Sequence, residues 1–317
     1  MDSLRLAVDQ ALAYPYKLWG YGEGPALLGV LRAVESLQRP DLVDAVADIV
    51  TPSLSAAADE EIDHLIPVET LLFLHRLQPA VKVQDAADRF VNAVAGAVRP
   101  VIGRPQVHRP HHSVLGRTIW VDCLHTDGPG LAAAGRVDAA CAVARDAVLA
   151  LQDGSGLFSH GYRVDTGLAN GVHWARGQGW ALYGLVGLLR YEPPHAEVLT
   201  DSLARLIGAL AEQETDGRWH TIVDDAESPA EASLTAMVAG ALGGARTQSA
   251  FPAEWQAMAD RALSATLAGI RPDGSLPVSA ATPVGDAAAY YEPASGVFPW
   301  GQGPLIDALL VALGRQS

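Results

Sequence analysis

Val137-Asp138-Ala139-Ala140-Cys141-Ala142-Val143-Ala144-Arg145-Asp146-Ala147-Val148-Leu149-Ala150-Leu151, followed by Asp153-Gly154-Ser155-Gly156-Leu157, is the unit from which the fold is read. Its apolar side chains recur at helical spacing, and the Asp-Gly pair after it is a turn signal. The same sequence of helix and turn returns at Asp216-Gly217-Arg218-Trp219 and at Asp273-Gly274-Ser275-Leu276, about 60 residues apart each time. Other stretches with helical spacing are Pro25–Leu37, Leu65–Leu77, Val81–Val98, Ala181–Leu189, Leu199–Ala211, Ala232–Leu242, Trp255–Ile270 and Leu305–Leu313. No run of alternating strands competes with them, although Val278 and Thr221–Val223 suit short β pieces. A second series of helix starts falls near Gly24, His64, Ile119, Arg176, Glu231 and Ser295. Six starts at this spacing predict an all-α protein, an (α/α)6 barrel of six helical hairpins closed into a ring; an open helical array is the alternative. In the ring the inner helices point the same way. Their N-termini converge on one mouth, where unpaired N–H groups favour an anion.

Composition narrows the function. Of 317 residues, 49% are hydrophobic and 18% charged, so disordered and collagen-like chains are excluded. Such a length is compatible with one domain, read here as residues 1–317. A formal charge of −14 repels nucleic-acid backbones, and no run of about 20 apolar residues suits a membrane span. Neither nucleic acid nor membrane is expected as a partner. Only Cys123 and Cys141 are present, which excludes a disulfide framework and suits a reducing compartment. The residues from Met1 to Asp9 form no basic leader with an apolar core, so the expected location is cytoplasmic.

Polar and aromatic residues gather at the expected inner-helix starts: Trp19–Gly24, Glu61–Pro67, His108–His112 with Trp120-Val121-Asp122, His160–Tyr162 with His173–Trp180, Glu231–Ser233 and Tyr290–Gly296. Indole and phenol faces beside short polar groups suit a sugar, whose ring has an apolar face and a rim of hydroxyls. Asp122 lies just inside an apolar stretch, where lost hydration favours a neutral carboxyl group. Asp63 holds the equivalent place one hairpin earlier. Paired acids of unequal character serve acid–base chemistry, whereas a lone Asp at a helix start is often only a cap. His108, His111 and His112 lack a standard zinc spacing, and no Cys or carboxylate completes the set nearby. No metal or cofactor is expected. Gly177-Gln178-Gly179 lacks a preceding strand and the full nucleotide fingerprint, and no Gly-x-Ser-x-Gly elbow occurs.

These motifs resemble those of the six-hairpin glycosidases of glycoside hydrolase families 88 and 105, the unsaturated glucuronyl and rhamnogalacturonyl hydrolases. Trp19-Gly20-Tyr21-Gly22-Glu23-Gly24 is similar to the family's opening aromatic–Gly segment. Ile62-Asp63-His64-Leu65 resembles its Leu-Asp-His-Ile motif, and Trp120-Val121-Asp122-Cys123-Leu124 its Trp-Val-Asp-Thr-Leu motif. Trp174-Ala175-Arg176-Gly177-Gln178-Gly179-Trp180 resembles Trp-Ala-Arg-Gly-Asn-Gly-Trp, with Gln178 in place of Asn. His125-Thr126-Asp127-Gly128-Pro129 departs from an apolar Tyr-Met segment at the expected pocket floor.

The resemblance implies a hydrolase that removes a 4,5-unsaturated uronic acid from the non-reducing end of lyase-generated oligosaccharides by hydrating the C4=C5 bond. It implies Asp122 and Asp63 as the catalytic pair. It implies Tyr21, His64, His111, His112, His160, Trp174 and Arg176 as substrate-binding residues, with the Arg176 fork suited to the uronate carboxylate. Competing readings are another (α/α)6 sugar enzyme, an epimerase or polysaccharide lyase, and a noncatalytic carbohydrate-binding protein.

Overall fold

Twelve helices fall into two kinds by burial. The computed structural model describes residues 1–17, 22–54, 68–96, 117–245 and 252–314, and the helices belong to those residues. One kind is buried nearly all round: α10 (Ala232–Gly244) is buried at every position from Ser233 to Gly243, and α12 (Pro299–Ala312) from Pro299 to Leu310. The other kind buries one stripe, as α1 (Asp2–Leu12) does with Leu4, Ala7, Val8 and Ala11. A helix wrapped in apolar residues needs neighbours on every side, whereas a striped helix needs one. The first kind therefore stands in an inner layer; the helix Val68–Leu77, with Val68, Thr70, Leu71 and Leu74 buried, joins that layer by its packing.

The inner layer closes on itself. α2 (Gly24–Leu37) packs on α4 (Val68–Leu77), α4 on α6 (Cys123–Ala133), α6 on α8 (Ala175–Leu189), α8 on α10, α10 on α12, and α12 returns to α2. Outside stand α1, α3 (Asp41–Val50), α5 (Val81–Gly96), α7 (Val137–Leu151), α9 (Glu197–Glu212) and α11 (Ala253–Gly269). α1 sits in a groove of the inner ring between α12 and α2, and α11 between α10 and α12. This is the (α/α)6 ring of six hairpins.

The Asp-Gly turns stitch the outer layer. Gly156, Gly217 and Gly274 take φ of +91°, +75° and +84°. A side chain on them would strike the backbone of the next outer helix, at Arg205 in α9, Arg261 in α11 and Leu6 in α1 respectively. Positive φ and close approach together require glycine. Asp153 and Asp273 set their turns by accepting from the backbone N–H of Ser155 and Ser275 at 2.8 and 3.0 Å.

A second repeat sits at the tops of the inner helices. Gln178 accepts from Phe158 N–H at 2.8 Å and donates to Phe158 C=O at 2.7 Å. Gln302, in the equivalent Gly301-Gln302-Gly303, accepts from Leu276 N–H at 2.8 Å and donates to the carbonyls of Gly274 and Ala7, both at 3.2 Å. Glu23 in Gly22-Glu23-Gly24 accepts from Lys17 N–H at 2.9 Å. Each side chain ties the segment before the helix to its first turn, which is why Gly177-Gln178-Gly179 is no phosphate loop.

Two expected helix starts are strands instead. Thr118–Trp120 is β1 and pairs antiparallel with β2 (Gly161–Arg163), which pairs with β3 (Leu168–Ala169). The β-branched Thr118 and Ile119 beside Trp120 favour this pleated pairing, and helix α6 begins only at Cys123. Ser295–Gly296 is β5 and pairs with β4 (Val278–Ser279), and helix α12 begins at Pro299. The expected start at His64 lies outside the described residues. Helices α1, α3 and α6 are absent from the stretches read as helical in the sequence; in α6, Gly128, Pro129 and Gly130 disguise a helix whose proline is accommodated inside it.

Candidate active site

The segments before α6, α8 and α12 meet above the inner ring. Val121 N–H donates to His160 C=O at 3.0 Å, and His160 N–H donates to Val172 C=O at 3.0 Å. These two bonds hold the strand carrying His160 between Asp122 and Trp174. Ala175 N–H donates to Thr221 C=O and Val223 N–H to His173 C=O, at 2.8 and 2.9 Å, which seats Trp174 at the top of α8. His173 itself is clamped between Asp224 and Asp153, with ring nitrogens 2.7 and 2.9 Å from their carboxylates.

Asp122 occupies the N-cap position of α6, yet its side chain makes no capping bond. It is 1% exposed, and neither carboxyl oxygen has a hydrogen-bond partner among the described residues. A buried carboxyl group is costly unless it is paired, and among the described residues His160 is the charged or polar group that faces it. The reading of Asp122 as a plain cap does not hold. Its Oδ2 lies 3.4 Å from His160 Nε2.

His160 is fully buried inside an aromatic cage. Its ring centroid is 4.4 Å from Trp174, 5.9 Å from Trp120 and 5.6 Å from Tyr290. Its Nδ1 lies 2.6 Å from the Tyr290 hydroxyl. Burial raises the Tyr290 phenol well above its ordinary range, so this hydroxyl keeps its proton. One turn below Asp122, His125 stacks on Trp180 at 5.1 Å with Tyr183 edge-on at 5.6 Å. Desolvation first, then the Arg32 charge, lowers the His125 ring to about 4 against the pull of Asp122 and Asp127, so it is neutral at physiological pH.

Arg176 is buried behind Trp174. It is 0% exposed. Nη1 donates to Ser279 C=O and Oγ at 3.0 and 2.8 Å, and Nη2 donates to Ala280 C=O at 2.6 Å. Glu231, the N-cap of α10, faces Nη1 at 3.7 Å and accepts from Ser279 Oγ. The guanidinium lies 4.4 Å from the Trp174 ring and 5.5 Å from that of Trp300. Its fork is thus directed at Ser279 and Ala280. It holds Trp174, β4 and α10 together from behind.

The structure therefore brings together Asp122, His160 and Trp174, and sets Arg176 one layer back. Tyr21, Asp63, His64, His108, His111 and His112 lie outside the described residues. Among the described residues, no group of three or more His, Cys, Asp or Glu is placed to hold a metal ion. No helix of them is long and apolar enough to cross a membrane. Sequence reasoning gave no role to Tyr290, Asn170, Glu231 or Ser279, although Tyr290 and Glu231 stood in the clusters at the expected helix starts. Their bonds that join distant parts of the site span 48 to 130 residues of the chain, beyond any local motif.

The closed ring of six hairpins carries, at one mouth, aromatic side chains around Asp122, a buried acid without a hydrogen-bond partner among the described residues. The chain belongs to glycosyl hydrolase family 88, whose profile matches residues 7–314. It is 27% identical to the unsaturated rhamnogalacturonyl hydrolase YesR of Bacillus subtilis over 314 residues, covering 90% of this chain and 87% of that protein. Two solved structures share the fold. A possible member of the GH105 family from Salmonella enterica serovar Paratyphi A superposes with a TM-score of 0.85 at 20% identity, over 99% of this chain and 93% of that one. The unsaturated glucuronyl hydrolase of Bacillus sp. GL1, responsible for the degradation of glycosaminoglycan, superposes with a TM-score of 0.77 at 18% identity, over 98% and 94%. The chain is thus an enzyme of the unsaturated glucuronyl and rhamnogalacturonyl hydrolase family.

Proposed function

We propose that this enzyme removes a 4,5-unsaturated uronic acid from the non-reducing end of an oligosaccharide left by a polysaccharide lyase, using one catalytic domain over residues 1–317. The observation that carries the reading is the state of Asp122: buried, uncapped and without a hydrogen-bond partner among the described residues. The substrate ring holds a vinyl ether next to a carboxylate. Asp122 in its neutral form gives a proton to C4, and positive charge develops at C5, shared with the ring oxygen. Asp122, now a carboxylate, takes a proton from the water that attacks C5. The hemiketal so formed opens and releases the remaining sugar.

Asp63 assists Asp122 and orients ring hydroxyls. Trp174 and His160 form the wall beside Asp122, and Tyr21, His64 and either His111 or His112 complete the grip on the uronate. Arg176 acts as a positioning residue for Trp174 and does not hold the carboxylate. The two cysteines are free and buried, in keeping with a reducing cytoplasm.

Asp122→Asn tests the assignment. The variant is expected to fold normally and to abolish the fall in ultraviolet absorbance as the double bond is consumed. Near-normal turnover in it would remove Asp122 from the acid–base role. A rise in absorbance with the wild-type enzyme on saturated polysaccharide would indicate a lyase instead. Disaccharides made by lyases from pectin, glycosaminoglycan and ulvan distinguish the sugar that follows the uronate.

A further inference from the structure

We propose that Tyr290 is a positioning residue that fixes the tautomer of His160, so that the neutral imidazole carries its proton on Nε2, on the side of Asp122. The assignment follows from counting donors and acceptors outward from the backbone. Asn170 Oδ1 accepts from Gly161 N–H at 3.2 Å and Val172 N–H at 3.4 Å. The oxygen of this amide is thereby identified, and its nitrogen faces the other way. That Nδ2 donates to Gly285 C=O at 2.8 Å and to the Tyr290 hydroxyl oxygen at 3.4 Å. Gly285 N–H donates to the same hydroxyl oxygen at 3.4 Å.

The phenolic oxygen thus receives two N–H groups and has one proton to give. Among the described residues its shortest polar contact is His160 Nδ1, at 2.6 Å. Were Nδ1 protonated, three donors would converge on one oxygen, and the buried O–H of Tyr290 would have no acceptor. The O–H therefore donates to Nδ1, and the ring proton sits on Nε2. Nε2 has no other hydrogen-bond partner among the described residues and stands 3.4 Å from Asp122 Oδ2. His160 is consequently a donor toward the acid or toward an oxygen bound beside it. It is not the base that activates water, and that task is left to Asp122. This catalytic consequence rests on the hydration reading above, whereas the tautomer does not.

The test uses the full-length enzyme labelled with ¹⁵N-histidine, without substrate. Long-range ¹H–¹⁵N correlation reads the tautomer, and His160→Gln assigns the signal. The wild type is expected to show His160 in the Nε2–H form alone. Tyr290→Phe is expected to release it into a mixture of both tautomers, with kcat down tenfold or more and KM little changed. Asn170→Asp provides an independent variant. It turns a donor to the phenol into an acceptor, draws the Tyr290 O–H away from His160, and moves the ring toward the Nδ1–H form. A wild-type Nδ1–H spectrum would overturn the proposal, as would an unaltered Nε2–H signal in a folded Tyr290→Phe or Asn170→Asp enzyme. If unsaturated uronides are not turned over but the spectra behave as stated, the functional reading fails and the tautomer assignment stands.

Discussion

Replacing His125 by phenylalanine changes how stability depends on pH, and the size of the change follows from the ring's surroundings. His125 lies on Trp180 beside Tyr183, with Nδ1 buried and without a hydrogen-bond partner among the described residues. Burial, aided by Arg32 and opposed by Asp122 and Asp127, brings the ring from an ordinary 6.5 to about 4 in the fold. Between those values the unfolded chain binds more protons than the native one, so stability falls as pH is lowered through that window. At about 1.36 kcal/mol per pH unit of separation, the ceiling is about 3 kcal/mol. Part of the residue meets solvent, and screening reduces the observable effect to about 2 kcal/mol. His125→Phe keeps the stack on Trp180 and removes the titration. Urea unfolding of both proteins from pH 7 to pH 4.5 is expected to show the variant gaining on the wild type by about 2 kcal/mol as pH falls. Other carboxylates titrate in both proteins and cancel in the difference. Parallel stability curves would refute the account of a buried, neutral His125.

The remaining predictions concern the mouth and the stitching of the ring. Arg176→Met leaves Glu231 buried without its cation and removes the three hydrogen bonds donated to Ser279 and Ala280, so it is expected to cost about 3–5 kcal/mol in thermal or urea unfolding; adding Glu231→Gln should recover part of that. Gln302→Ala strips the partner from Leu276 N–H and is expected to cost about 1–3 kcal/mol, with turnover per folded molecule unchanged. The activity loss in Asp122→Asn and the tautomer shift in Tyr290→Phe complete the set, read by ultraviolet absorbance and by nitrogen chemical shift.

The inner ring was legible because α2, α8, α10 and α12 carry long apolar runs that only a surrounded helix tolerates. Asp122 was legible because it follows a Trp-Val pair at the head of such a helix. Helix α6 was harder, since Gly128-Pro129-Gly130 reads as a loop by local chemistry and is overruled by packing between α4, α7 and α8. β1 and β5 hid inside expected helices because strands of two or three residues have too few positions to display alternation. The direction of Arg176 could not be read at all: its partners Ser279 and Ala280 are more than 100 residues away and become neighbours only once the ring closes. One signal was available and unused. Gly177-Gln178-Gly179 has a twin in Gly301-Gln302-Gly303, and reading the pair together shows that the glutamine serves the scaffold.

Gln302 grips the carbonyl of Ala7 across 295 residues, the turn at Gly274 rests on Leu6, and a side chain on Gly303 would come within 2.7 Å of Ala26 N. At this seam the first and last helices of the ring are joined by side chains and close backbone contact. A nascent chain leaving the ribosome can stack its hairpins one upon another, but it cannot complete the circle until its last helix emerges. Until that moment the flank of α2 that will receive Ile306 stays wet and apolar, and the growing polypeptide depends on shielding from its surroundings.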